Sequence, residues 1–88
     1  MPDEQKLADL RRQIDDIDEK MVALINERAR LALQVGIAKG GQDIYQPSRE
    51  KRVLDHVTTI NKGPLSEEAL LAIYRPIIEV CKTIQYNK

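Results

Sequence analysis

One apolar stripe constrains this chain more than any other feature. Leu7, Ile14, Met21, Arg28 and Val35 recur every seven residues, and Leu10, Ile17, Leu24, Leu31 and Ala38 follow three residues behind them. Nine of these ten positions are apolar, a spacing that puts them along one face of a helix. No Pro or Gly interrupts the run before Gly36, and the residues between are good helix formers. The pattern predicts one helix from about Asp3 to Lys39, roughly 50 Å long. A lone domain of 88 residues is not that wide. Much of the stripe is therefore expected to be covered by another chain, and the repeat of seven makes that cover a coiled-coil-like helix seam.

The rest of the chain is punctuated for two shorter helices. Gly40, Gly41, Gln42 and Asp43 end the first helix, and Pro47 suits the first position of a second, where its missing N–H costs nothing. That helix is expected to run to about Asn61 or Lys62, with Gly63 as its stop and Pro64 beyond. Its inward stripe reads Glu50, Val53, Leu54, Val57 and Ile60. Ser66 reads as an N-cap, with Glu67 and Glu68 in the first turn of a third helix that reaches about Tyr86. Pro76 lies inside it and is expected to kink or split it near Ala72 to Arg75. The fold class expected is all-α: one very long helix and two shorter ones, residues 1–88 forming a single domain in a helical dimer.

Composition narrows the partners. Fourteen Lys and Arg balance fourteen Asp and Glu, so no net field steers the chain toward nucleic acid or an anionic membrane. No apolar run is long enough to span a membrane. A lone cysteine, Cys81, excludes an intrachain disulfide. With no secretory segment read from the sequence, a cytoplasmic location is expected. One Cys and one His make no zinc set.

Chemistry enters where polar residues interrupt apolar faces. Arg28 sits in the seam either as a register-setting polar residue or as a guanidinium held to bind a planar carboxylate. Lys39 lies three turns on, on nearly the same face and about 16 Å away. Arg11 is too far from Arg28 within one helix, about 25 Å. Antiparallel pairing of two long helices about a two-fold near Met21 or Val22 would bring Arg11 of one chain between Arg28 and Lys39 of the other. Taken singly, Arg11 is also an ordinary solvated arginine. Glu50 opens the inward stripe of the second helix beside Arg49, and Tyr74, Ile78, Cys81 and Gln85 share a face of the third. Gln85 reads either as an end-of-helix polar residue or as a neutral donor aimed into the same pocket. Cys81 reads as a small buried hydrophobe, since no His is spaced to activate it. Together these groups make a pocket rich in cations, with one carboxylate and one amide. It contains no nucleophile, metal set or redox group, so no cofactor is expected. Such a site suits a small dianion whose reaction needs folding and electrostatic stabilisation.

The order and spacing of these residues resemble a known family. Leu10-Arg11-x-x-Ile14-Asp15-x-Ile17-Asp18, Leu24-Ile25-x-Glu27-Arg28, Val35-Gly36-x-Ala38-Lys39, Tyr45-x-Pro47-x-Arg49-Glu50 and Ile77-Ile78-Glu79 through Gln85 together resemble the all-helical chorismate mutases. The resemblance runs from about Leu7 to Gln85. It implies an intertwined homodimer with two sites, each completed by an arginine of the other subunit, and the Claisen rearrangement of chorismate to prephenate in phenylalanine and tyrosine biosynthesis. By matching positions, Arg28 and the other chain's Arg11 would clamp the substrate carboxylates. Lys39 would bind a carboxylate and the ether oxygen, Gln85 would donate to that oxygen, and Glu50 would hold the ring hydroxyl. Arg49 would support the site electrostatically or through water. Gln46 stands where some members carry an acidic residue, and Cys81 where a small hydroxyl residue is frequent; both count among the expected substrate-binding positions. An isochorismate pyruvate-lyase shares this carboxylate-binding logic, and a non-catalytic helical dimer with a regulatory role is the alternative outside enzymes. Gln85 and Glu50 favour the mutase over the lyase, and retention of every pocket cation argues against the idle dimer.

Overall fold

A computed structural model describes residues 1–40 and 47–86. Three helices account for nearly all of them: α1 (Glu4–Ala38), α2 (Pro47–Ile60) and α3 (Glu67–Tyr86). Among the described residues there is no strand. Asp3 caps α1, its Oδ1 accepting from the Lys6 N–H at 2.9 Å. At the other end the Lys39 N–H donates to Val35 O and the Gly40 N–H to Ile37 O. Gly40 then turns the chain at φ 71°, a conformation that a side chain would strain. The expected loop positions Gly41, Gln42 and Asp43 lie outside the described residues.

The second helix ends at Ile60, short of the expected Asn61 or Lys62. Local side-chain bonds compete with the helix there. Asn61 Oδ1 accepts from the Gly63 N–H at 3.0 Å, while Asn61 Nδ2 donates to Leu65 O at 2.9 Å. Asn61 thus organises the turn in place of extending α2. Ile60 is 57% exposed, against the inward position expected for it. Ten residues after Glu50 it has rotated about 80° off that residue's direction, to the edge of the stripe.

Ser66 caps α3 as expected, its Oγ accepting from the Ala69 N–H at 3.1 Å. Of the kink or split expected at Pro76, the split does not occur, since α3 is continuous from Glu67 to Tyr86. Proline removes the donor that would serve the Ala72 carbonyl. Ala72 and Pro76 both face solvent, where water can take that donor's place.

Helix directions follow from who touches whom. Arg28 meets Tyr74 and Lys39 meets Gln85, so α1 and α3 run parallel in one fixed register. Glu50 meets Lys82, and an open groove of about 320 Å3 is lined by Leu54 and Thr58 of α2 with Leu71 and Arg75 of α3, so α2 runs against α3. Contacts join α1 to α3 and α2 to α3, and none joins α1 to α2 among the described residues. The third helix is therefore the spine. One end of the molecule gathers the C-terminal part of α1, the first turn of α2 and the C-terminal part of α3.

The core is thin. Among the described residues only Gly36, Val57 and Cys81 are buried. Along the seam Leu7, Ile14, Ile17, Leu24 and Leu31 are 42 to 62% exposed. The radius of gyration is 17.0 Å, against about 12 Å for a compact chain of this length.

Candidate active site

Gln85 is the centre of the gathered end. Lys39 Nζ donates to Gln85 Oε1 at 3.3 Å, and Gln85 Nε2 donates to the Ala32 carbonyl at 3.4 Å. An amide carries two N–H hydrogens and one acceptor oxygen. Reversing the amide would face its NH2 group toward the Lys39 ammonium, donor against donor. Lys39 thus sets the orientation of Gln85.

This approach depends on Gly36. A Cβ there would meet Gln85 O at 2.6 Å and Gln85 Cγ at 3.1 Å. Only a residue without a side chain lets the end of α3 lie this close to α1. Gly36 was visible in the motif as a letter, and its role comes from the packing.

Two turns back along α1, the Arg28 guanidinium carbon lies 5.8 Å from the centroid of the Tyr74 ring. A cation at this distance over an aromatic face is attracted by the ring quadrupole. The guanidinium is half-buried, and its N–H donors radiate in the guanidinium plane.

Glu50, in the first turn of α2, is placed at the same end by Lys82 of α3, with Nζ 3.6 Å from Glu50 Oε1. Lys82 escaped the sequence reading. The available signal was its position, one turn before Gln85 and in the row with Leu71, Arg75 and Ile78 that turns toward α2. Cys81 is 5% exposed on the same face as Gln85, consistent with a small buried hydrophobe.

The structure therefore brings together Lys39, Gln85 and, across α3, Glu50, with Arg28 further along α1. Within one chain it does not add Arg11, which is exposed and about 25 Å from Arg28 along the helix. Arg49 is likewise exposed. Gln46 lies outside the described residues. No group of three or more His, Cys, Asp and Glu side chains able to hold a metal occurs among the described residues.

Comparison with known proteins identifies the family of this fold. The chorismate mutase type II family model matches residues 10–86. A chorismate mutase of Methanocaldococcus jannaschii is 37% identical over 84 residues, covering 92% of this chain and 85% of that protein. The bifunctional chorismate mutase/prephenate dehydratase of Aquifex aeolicus is 38% identical over 87 residues, covering 92% of this chain and 24% of that protein. The chain thus spans about a quarter of the length of the bifunctional relatives it matches. The crystal structure of chorismate mutase from Helicobacter pylori in complex with prephenate superposes with a TM-score of 0.85 at 28% identity, covering 94% of this chain and 92% of that one. A family match across all three helices, and a solved relative with the same fold over nearly its whole length, place this chain in the chorismate mutase type II family.

Proposed function

We propose that residues 1–88 act as one chorismate mutase domain, converting chorismate to prephenate as a homodimer with two shared sites. The observation that carries this reading is the pairing of Lys39 with Gln85 at the end of the molecule where Glu50 also lies. In the rearrangement the ether C–O bond breaks as a C–C bond forms, and negative charge grows on the ether oxygen. The Lys39 ammonium lies against the Gln85 amide, and Gln85 has an N–H beyond the one given to Ala32. Both can meet that oxygen, and both bind it more strongly in the transition state than in the ground state. Arg28, steadied over Tyr74, takes a substrate carboxylate and helps hold the side chain folded over the ring. Glu50 accepts from the ring hydroxyl. Arg49 supports the site from its rim, Gln46 and Cys81 complete the substrate-binding set, and no cofactor takes part.

The exposed seam of α1 supports the dimer. The chain exposes 7322 Å2, where a folded monomer of this mass exposes about 5,300 Å2. The excess, about 2,000 Å2 per chain, is in the range of obligate interfaces. An antiparallel partner covering α1 delivers its Arg11 toward Arg28 and Lys39. No helix among the described residues is long and apolar enough to cross a membrane. With its thiol reduced, the domain works in the cytoplasm.

Incubating the purified chain with chorismate and following substrate loss and prephenate formation tests the reading. Prephenate formed at enzymatic rates supports it. Pyruvate released from isochorismate without chorismate turnover, or no turnover of either, overturns it.

A further inference from the structure

Among the ion pairs of the described residues, Lys82–Glu50 is the one that touches a residue of the proposed site. Its side chains are 33% and 31% exposed, unlike the solvated Lys51–Asp55 and Arg12–Asp9 pairs elsewhere. It also differs in what it connects. Those two pairs each lie within one helix, whereas Lys82 and Glu50 join α3 to α2.

We infer that Lys82 is a positioning residue for Glu50, fixing its carboxylate at the end of the molecule where Lys39 and Gln85 meet. The inference rests on the mutase reading and adds to it a residue and a route. With no contact between α1 and α2 among the described residues, α2 is located relative to Lys39 and Arg28 through α3. Lys82 and Gln85 are one helical turn apart on that helix, so one rigid element holds Glu50 at one residue and the partner of Lys39 at the other. An inter-helix ion pair two-thirds withdrawn from water is less screened than the solvated pairs elsewhere. Engaging Glu50 Oε1 from α3 restricts the rotamers of Glu50. Arginine can keep the charge and reach, and an apolar side chain cannot.

A double-mutant cycle on the full chain tests this, with kcat and KM for chorismate measured on variants whose helix content and melting are followed by circular dichroism. Lys82→Met is expected to lower kcat/KM on the order of tenfold, and Lys82→Arg to recover it to within about threefold of wild type. In a Glu50→Gln background, Lys82→Met is expected to change kcat/KM less than about twofold, because the carboxylate it positions is gone. An equal loss in both backgrounds overturns the inference, since Lys82 then acts on the substrate or elsewhere. Lowered melting with unchanged kcat/KM overturns it too, leaving Lys82 a structural residue. Lys82→Gln carries the same cycle, with the same expectation, should Lys82→Met fail to fold. A wild type that leaves chorismate untouched overturns the mutase reading and this inference together, whereas an active wild type with an uncoupled cycle overturns this inference alone.

Discussion

Lys39 gives one ammonium hydrogen to Gln85 Oε1, and that single bond decides which half of the amide is available to a ligand. The free N–H of Gln85 is neutral, so its donation does not change between about pH 6 and 8. Gln85→Glu keeps the shape but donates only when protonated. Once ionised, it repels the negative charge growing on the ether oxygen. Burial raises the new carboxyl's pKa and Lys39 lowers it; whichever wins, the protonated form is the active one. The variant is therefore expected to gain activity as pH falls and lose it as pH rises, relative to wild type measured at each pH. A flat profile at wild-type activity would show that residue 85 does not touch the reacting oxygen. Glu50→Ala is a second residue-scale case. It is expected to lower kcat/KM by more than tenfold with little loss of helical circular dichroism, because one acid in a first turn contributes only about 0.3–1 kcal/mol to its helix. Unfolding with full activity in the remaining folded enzyme would make Glu50 structural.

At the scale of elements, two substitutions on the α1–α3 unit should separate stability from chemistry. Ser66→Ala removes the cap of α3 far from the site and is expected to cost about 1 kcal/mol with kcat/KM unchanged. Gly36→Ala drives a methyl into the Gln85 backbone, at an overpacking cost of about 1–3 kcal/mol. It is expected to lower kcat at least tenfold even at temperatures where the protein is folded, because relief comes by moving Gln85 away from Lys39. Thermal melts and kinetics on the two variants check this, and a Gly36→Ala enzyme of full kcat would show that α3 can shift without cost. The same elements show which features a sequence can carry. Asp3 and Ser66 act within a turn of themselves, so the starts of α1 and α3 were legible from short windows. Whether Pro76 splits α3 depends on whether the Ala72 carbonyl can reach solvent, which is a property of the packing. Lys39 and Gln85 were visible by their places on helix faces and in the family pattern. Lys82 was not, since a lysine on a helix ordinarily points to water and only the antiparallel pairing of α2 with α3 brings it to Glu50.

At the scale of the whole molecule, a body of 59 × 25 × 15 Å with only three buried residues among those described is what the proposed dimer would cover. Light scattering at micromolar concentration is expected to give the mass of two chains, and a folded species of 10.1 kDa would overturn the dimer. The dimer also makes a stricter prediction about chemistry. If, as proposed, each site takes Arg28 and Lys39 from one chain and Arg11 from the other, Arg11→Ala and Arg28→Ala homodimers should each be nearly inactive. Their mixed dimer is different. One of its sites draws Arg28 from the Arg11→Ala chain and Arg11 from the Arg28→Ala chain, and is intact; the other site lacks both arginines. Co-refolding equal amounts pairs chains at random, makes half of the dimers mixed and leaves one working site of two in each. Activity is therefore expected to return to roughly a quarter of wild type. If Arg11 instead served its own chain, every site in every dimer would lack one arginine and nothing would return. Absence of recovery, with mixed dimers demonstrated by mass, would exclude Arg11 from the other chain's site and leave the α1 seam an interface without a catalytic role.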